Sequence, residues 1–218
     1  MSDAEFDKAL LGAAFALAGA GGWSAVSVAE AARSANLDLA KARERFPGRA
    51  AILLRFGRLA DQTALAQTPA EGPVRDRLFH LLMQRIDVMQ AHRAGVLALM
   101  GHLPTQPGTA VLLACATRRS MRWLLDAAGV PTSGLRGALR VRGLCGVWLW
   151  TMRAWQRDET EDMSATMSAL DTALRRAERL APWLGGATGA APATAAEADE
   201  VPAAEPDTEP PPTEVPAP

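Results

Sequence analysis

Cysteine is scarce in this chain: Cys115 and Cys145 are the only two among 218 residues. Each stands alone inside an apolar segment, with no C-x-x-C pair and no histidine nearby. A metal or redox centre is therefore not expected, and two reduced, buried thiols are. Long apolar runs are missing too. The longest, GLCGVWLW, lies between Arg142 and Arg153 and is too short to cross roughly 30 Å of hydrocarbon. The N-terminus, MSDAEFDKALL, is acidic where a secretory leader is basic. These absences point to a cytoplasmic protein with no stable membrane insertion. Catalytic signatures are lacking as well. His80, His92 and His102 have no carboxylate or hydroxyl partner at useful helical spacing, and neither G-x-S-x-G nor a P-loop occurs. Neither an enzyme nor a cofactor is expected.

Basic residues are absent from the last stretch, GATGAAPATAAEADEVPAAEPDTEPPPTEVPAP, which begins at Gly186. Seven of the chain's 24 acids lie there, from Glu197 to Glu214, so 23 basic residues face 17 acids upstream, a balance of +6. Such a tail has almost nothing to bury against its ordering entropy, so residues 185–218 are expected to be disordered. The folded body is then mildly basic.

Strand-like alternation is absent and β-branched residues are few, so the body reads as all-α. SDAE (Ser2, Glu5) and SVAE (Ser27, Glu30) have capping-box spacing, and DETE (Asp158, Glu161) repeats it with Asp as the cap. Pro47, Pro73 and Pro131 stand at breaks or first helical turns. The pattern predicts helices near 4–19, 27–35, 39–45, 48–67, 73–92, 94–101, 108–128, 134–157 and 160–181. Short helices followed by longer ones suggest a small module over 1–50 docked on a larger helical domain over 51–184.

The stretch SVAEAARSANLDLAKARERFPGRAAIL, Ser27 to Leu53, has helix-turn-helix rhythm. Ala31, Ala32 and Ala35 give the first helix a close-packing face. Asn36 tolerates the left-handed conformation of a tight turn, and Asp38 can cap the next helix. There Leu39, Ala42 and Phe46 share one face and are expected to point inward. The opposite face carries Ala40, Lys41, Glu44 and Arg45, with Arg43 on its flank. A short helix with one buried and one charged face suits major-groove docking. From Arg33 to Arg58 seven basic residues stand against two acidic ones, Asp38 and Glu44.

These residues resemble the DNA-binding domain of TetR/AcrR-type repressors. The resemblance runs without gaps from Phe6 to Phe56, through FDKALLGAAFALAGAGGWSAVSV, VAEAARSANL and RFPGRAAIL. It implies a nine-helix TetR-like fold, a homodimer, double-stranded DNA as partner, and a C-terminal domain that binds a small apolar ligand. Asn36 stands where the family commonly has Gly, and Lys41 and Arg43 where it commonly has Thr and Tyr. Arg49 occupies the position of a Lys that often grips phosphate. Basic changes keep or raise backbone affinity by counterion release, whereas Glu44 must accept from a cytosine amino group or be repelled by phosphate. Lys41, Glu44 and Arg45 are expected to face bases, and Arg43 and Arg49 to hold phosphates. Ser27 and Ala40 complete the expected DNA-binding set.

Residues 73–180 also resemble the coenzyme-Q-biosynthesis lipid-binding family, which shares the TetR fold but binds isoprenoid lipid and a partner enzyme. VRDRLFHLLMQRIDVM, W-x-x-D at Trp155–Asp158 and T-x-x-x-L-D at Thr166–Asp171 carry this likeness. That family ends in an amphipathic membrane-touching helix, whereas this chain ends in carboxylates that an anionic surface repels.

Met83, Met89, Met100, Met121, Trp123, Trp148, Met152 and Trp155 come from successive helices of the larger domain. Flexible Met and flat Trp suit a pocket for a hydrophobic small molecule or isoprenoid, and equally a core. Gly143 and Gly146 allow close helix approach, and Met163, Met167, Leu170 and Leu174 form an apolar stripe on the last helix. Together they are the expected dimer seam. The reading is a dimeric TetR-like transcriptional regulator, expected to be a ligand-released repressor on a palindromic operator. The alternative is a lipid-binding accessory protein of ubiquinone biosynthesis that does not bind DNA.

Overall fold

Ser2 opens the first helix as its sequence suggests: its hydroxyl accepts from the Glu5 amide at 3.2 Å while the Glu5 carboxylate accepts from the Ser2 amide at 2.6 Å. This computed structural model describes residues 1–67 and 71–180, and among them there is no strand. The described helices are α1 (Asp3–Gly21), α2 (Val28–Ser34), α3 (Leu39–Arg45), α4 (Arg49–Ala66), α5 (Val74–Gln90), α6 (Arg93–His102), α7 (Pro107–Ala127), α8 (Gly134–Trp155) and α9 (Ser164–Leu180). Short 3-10 turns occupy Trp23–Ala25 and Leu103–Thr105. The tail from 185 onward lies outside the described residues.

α1 buries Phe6, Leu10, Leu11, Ala14, Phe15 and Ala18 at helical spacing. Each large side chain of this kind contributes about 1.5–3 kcal/mol when taken out of water. The stripe packs against α2 and α6, and α4 joins this layer to α5 and α7. α8 and α9 form an antiparallel-type pair next to α5 and α7. One aromatic cluster ties the layers together: the Phe15 ring lies 4.2 Å from Phe56, 5.8 Å from Trp23 and 5.8 Å from His92. Burial there, with Lys8 nearby, pushes the His92 imidazole below its usual pKa.

α1 and α6 approach so closely that only glycine fits at position 95. A Cβ there would meet the Phe15 backbone, its carbonyl oxygen first and its carbonyl carbon at 2.8 Å.

Helix starts differ from expectation in two places. Ser27 does cap α2, accepting from the Glu30 amide at 3.0 Å. The reciprocal bond is missing because the Glu30 carboxylate accepts from Arg33 instead. The last helix begins at Ser164, four residues after the expected start at 160. Asp158 does not cap it from the front. Its carboxylate is buried and accepts from the amide and hydroxyl of Thr160 (3.2 and 2.6 Å) and of Thr166 (both 2.7 Å). Met163 takes a left-handed conformation, φ 53°, which keeps the helix from starting earlier. Burial pushes the Asp158 carboxyl up, but these hydrogen bonds outweigh it and hold its pKa down to about 2.

Candidate nucleic-acid interface

The turn between α2 and α3 is built as the sequence implies. Asn36 sits at φ 51°, a conformation that asparagine tolerates better than most side chains. Asp38 then caps α3, accepting from the Lys41 amide at 2.7 Å. Ala42 and Phe46 are buried beneath the helix. Leu39 is not: expected inward, it is 46% exposed. As the first residue of α3 it stands at the edge of the packed face and lines an open groove.

That groove, about 600 Å³, runs between the start of α2, the side of α3 and the start of α4. Ser27, Arg43 and Arg49 line it together, with Leu39, Pro47 and Gly48. α4 has no side-chain cap at Gly48, so its first amides are available to an acceptor arriving from the groove. An uncapped helix start beside two arginines is a favourable place for a phosphate oxygen. Arg43 meanwhile donates to the Pro47 carbonyl at 2.6 Å, which holds its guanidinium at the groove wall.

Lys41 and Arg45 do not join this face. Lys41 forms an ion pair with Asp3 at 2.7 Å and lies over the Phe6 ring, 5.1 Å from its centroid. Arg45 donates to both Asp7 carboxylate oxygens, at 2.7 and 2.8 Å, and to Asp3 at 2.7 Å. Its side chain is only 19% exposed. Hydrogen bonding to Asp7 raises the Arg45 pKa well above its usual value, and the Lys41 hydrogen bond with the Arg45 charge lowers that of Asp3. Arg55 of α4 closes on Asp7 as well, at 3.2 Å. These cations therefore lash α3 and α4 to α1. The physical reason is that α1 supplies two carboxylates to the flank of α3: a part-buried bidentate pair holds Arg45 on Asp7, and an exposed ion pair draws Lys41 to Asp3. The outward face of α3 retains Ala40, Arg43 and Glu44, all exposed.

The eight residues expected to line a ligand pocket do not converge. Met121, Trp148, Met152 and Trp155 are buried core. Met83, Met89 and Met100 pack partly buried against that core. Trp155 is further fixed by donating from Nε1 to Gln90 at 2.9 Å beneath Arg93. Flat and flexible side chains fill a core as readily as they line a pocket, and here filling wins. Trp123 alone of the eight, 59% exposed, borders a cavity of about 760 Å³ between α4, α5 and α7. Its other walls include Leu54, Arg58, Asp61, Leu65, Arg85 and Leu112. A sequence signal for it does exist. Leu54, Arg58, Asp61 and Leu65 recur at spacings of four and three, as do Leu112, Ala116, Arg119 and Trp123.

The expected dimer seam also divides. Leu170 and Leu174 are buried inside the protomer, where α9 packs on α8 and α5, and Met163 and Met167 are half-buried. Leu170 and Leu174, covered by the chain's own helices, have no apolar area left for a second copy, and only Met163 and Met167 keep a partly exposed surface. Gly143 and Gly146, by contrast, lie on an exposed face of α8 with open space before them. Leu135, Leu139, Leu149 and Trp150 are exposed on the same helix, Leu135 to 80%.

Among the described residues no helix is long and apolar enough to cross a membrane, and no cluster of His, Cys, Asp or Glu has the makings of a metal site. No family model matches the chain, and no curated protein does. Solved structures do. A TetR transcriptional regulator from Nitrosomonas europaea is 22% identical with a TM-score of 0.66, over 81% of this chain and 99% of its own. A tetR-family transcriptional regulator from Streptomyces coelicolor is 21% identical with a TM-score of 0.54, over 84% of this chain and 90% of its own. At such identities the likeness is one of architecture, and the helical body has the fold of TetR-type regulators.

Proposed function

We propose that the protein is a DNA-binding transcriptional regulator that reads a palindromic operator as a homodimer and responds to a small ligand. One observation carries the reading. An α2–turn–α3 unit with a free, exposed outer face stands beside an uncapped α4 start flanked by Arg43 and Arg49. In this arrangement Arg49 and the first α4 amides hold phosphate, Arg43 tracks the backbone at the groove wall, and Ala40 and Glu44 meet base edges. Lys41 and Arg45 act as positioning residues that orient α3.

Dimerisation falls to the exposed face of α8. Leu135, Leu139, Gly143, Gly146 and Trp150 follow one another at spacings of four and three, and Arg176 of α9 packs on Trp150 from beside it, 5.9 Å from the ring centroid. A contiguous apolar strip with two glycines allows two copies to approach closely.

The test is selection of genomic DNA fragments on purified protein at about 0.15 M salt, where loosely held phosphate contacts are screened. Enrichment of a palindromic site is the expected result, and no enrichment would overturn the proposal. The tying up of Lys41 and Arg45 favours a second reading, a TetR-fold lipid carrier of the ubiquinone pathway. Isoprenoid co-purifying with the protein, together with no selected DNA, would establish that reading in its place.

A further inference from the structure

The cavity between α4, α5 and α7 contains a chemistry that its apolar walls do not explain. Arg85 of α5 is only 7% exposed and stands in an otherwise apolar stripe of Leu78, Leu81, Leu82 and Ile86. It lies over the Trp148 ring, 5.0 Å from its centroid, and pairs with Asp61. The other Asp61 oxygen accepts from the Ser120 hydroxyl at 2.5 Å. One carboxylate thus serves two donors, and the Arg85 Nε has no hydrogen-bond partner although it is buried. A buried guanidinium with an unsatisfied N–H is costly. Burial alone lowers its pKa to about 10, so it keeps its charge at neutral pH.

Arg58 and Arg119 are exposed wall residues of the same cavity. Three guanidinium groups against one carboxylate leave the site with an excess of positive charge. The remaining wall sets Leu53, Leu54 and Leu65 of α4 and Leu112, Leu113 and Trp123 of α7 beside the polar Gln62 and Thr117. The volume of about 760 Å³ lies within the roughly 300–1,000 Å³ usual for small-molecule sites.

We infer that this cavity binds a single-chain amphiphile with an anionic head, a free alkyl carboxylate of medium length. The chain lies along the leucines of α4 and α7 and the carboxylate is held by the arginines. This inference rests on the proposed ligand-responsive regulator and names the class of its ligand. A neutral isoprenoid would fill the apolar wall but leave the Arg85 Nε unsatisfied and Arg58 and Arg119 without a carboxylate. A cationic amphiphile would meet them as like charges. Of the three ligand types, only the carboxylate satisfies both the walls and the cations.

The test uses the full-length protein and decanoate, with decanol and decyltrimethylammonium as the neutral and cationic comparisons. Binding is followed by calorimetry and by the change in tryptophan fluorescence, to which Trp123 at the cavity wall contributes. Decanoate is expected to bind one per chain, at least about tenfold tighter than either comparison, a difference of about 1.4 kcal/mol. Arg58→Gln and Arg119→Gln sit at exposed positions that the fold does not need, and each should weaken decanoate while leaving decanol unchanged. Ala116→Phe, which fills the cavity from α7, should abolish binding of both; Arg85→Met is the riskier variant because Asp61 loses its charged partner and keeps only the Ser120 hydroxyl.

Decanol binding as tightly as decanoate would overturn the anionic class. Decanoate binding that survives Ala116→Phe would overturn the site. The DNA selection needs no ligand, so its failure would remove the regulator reading without touching these binding results. Loss of decanoate binding with selection intact would remove only the ligand class.

Discussion

Substituting Gly95 by alanine adds one carbon where α1 and α6 have no room for it. The new Cβ would face the Phe15 carbonyl carbon at 2.8 Å and the Phe15 Cα at 2.9 Å, and all three nearest atoms belong to backbone that cannot rotate away. Ordinary contact begins near 3.4 Å and the carbonyl oxygen is closer still than 2.8 Å, so α6 must retreat from α1 by more than 0.6 Å. A gap of that size forfeits about a quarter to a half of the dispersion energy of each contact it opens. Those contacts include Val96 and the rings of His92, Phe15 and Phe56. Overpacking of this kind costs about 1–3 kcal/mol, while alanine's better helix propensity returns up to ~1 kcal/mol. Because the clash is with backbone, the overpacking falls at ~2–3 kcal/mol and the expected net loss is ~1–2 kcal/mol, or a fall in Tm of roughly 2–8 °C for a body of this size. Thermal and urea unfolding followed by circular dichroism, at one fixed protein concentration, measures it. Gly101→Ala serves as the comparison, since that glycine is on the same helix with nothing within 4 Å of a Cβ. It should be neutral or slightly stabilising. If Gly95→Ala behaves like Gly101→Ala, the close approach of α1 and α6 is not real and the reasoning fails.

Asp158→Ala leaves the buried Thr166 amide and hydroxyl without an acceptor and should cost ~1–3 kcal/mol per unsatisfied group, measured by urea unfolding. Because the folded carboxyl is held down to about 2, its contribution is complete above the unfolded value near 3.9 and is lost as pH falls through the folded one. The stability gap between the protein and Asp158→Asn should therefore narrow between pH 4 and pH 2, and a constant gap would contradict the assignment. On a selected operator, Arg43→Ala and Arg49→Ala should weaken binding by similar factors on specific and random DNA and reduce its salt dependence. Glu44→Ala should instead change the preference at one base pair by ~1–3 kcal/mol, read by repeating the selection. Gly143→Leu on the α8 face should shift sedimentation toward monomer, whereas Leu170→Ala should lower stability without changing the protomer number.

Local signals were legible. Ser2, Ser27 and Asp38 are caps because a hydroxyl or carboxylate three residues before an amide is all a cap needs, and Asn36 marks the turn by its own backbone tolerance. Signals that depend on distant partners were not. Asp158 has capping spacing to Glu161, but its buried partner is Thr166, eight residues on, so the start of α9 moved. The Leu170–Leu174 stripe has one period whether α5 and α8 cover it or a second copy does. Trp and Met report that a core exists and not where a cavity remains within it. Lys41 and Arg45 were placed outward from α3 alone, since helical spacing carries no trace of Asp3 and Asp7 on another helix.

The lashing of Lys41 and Arg45 to α1 bears on how this protein can change over evolutionary time. A residue that both holds the fold and reads a base cannot be exchanged freely, because a new specificity would come with a loss of stability. In the proposed regulator those duties are separated along one short helix. Positions 41 and 45 are bound to Asp3 and Asp7, so drift there is constrained from within the protomer. Positions 40, 43 and 44 face outward and are not tied to another helix, which leaves them free to vary. Across related chains, substitutions at 41 and 45 should travel with compensating changes at 3 and 7, while on the proposed reading those at 40 and 44 should follow the operator.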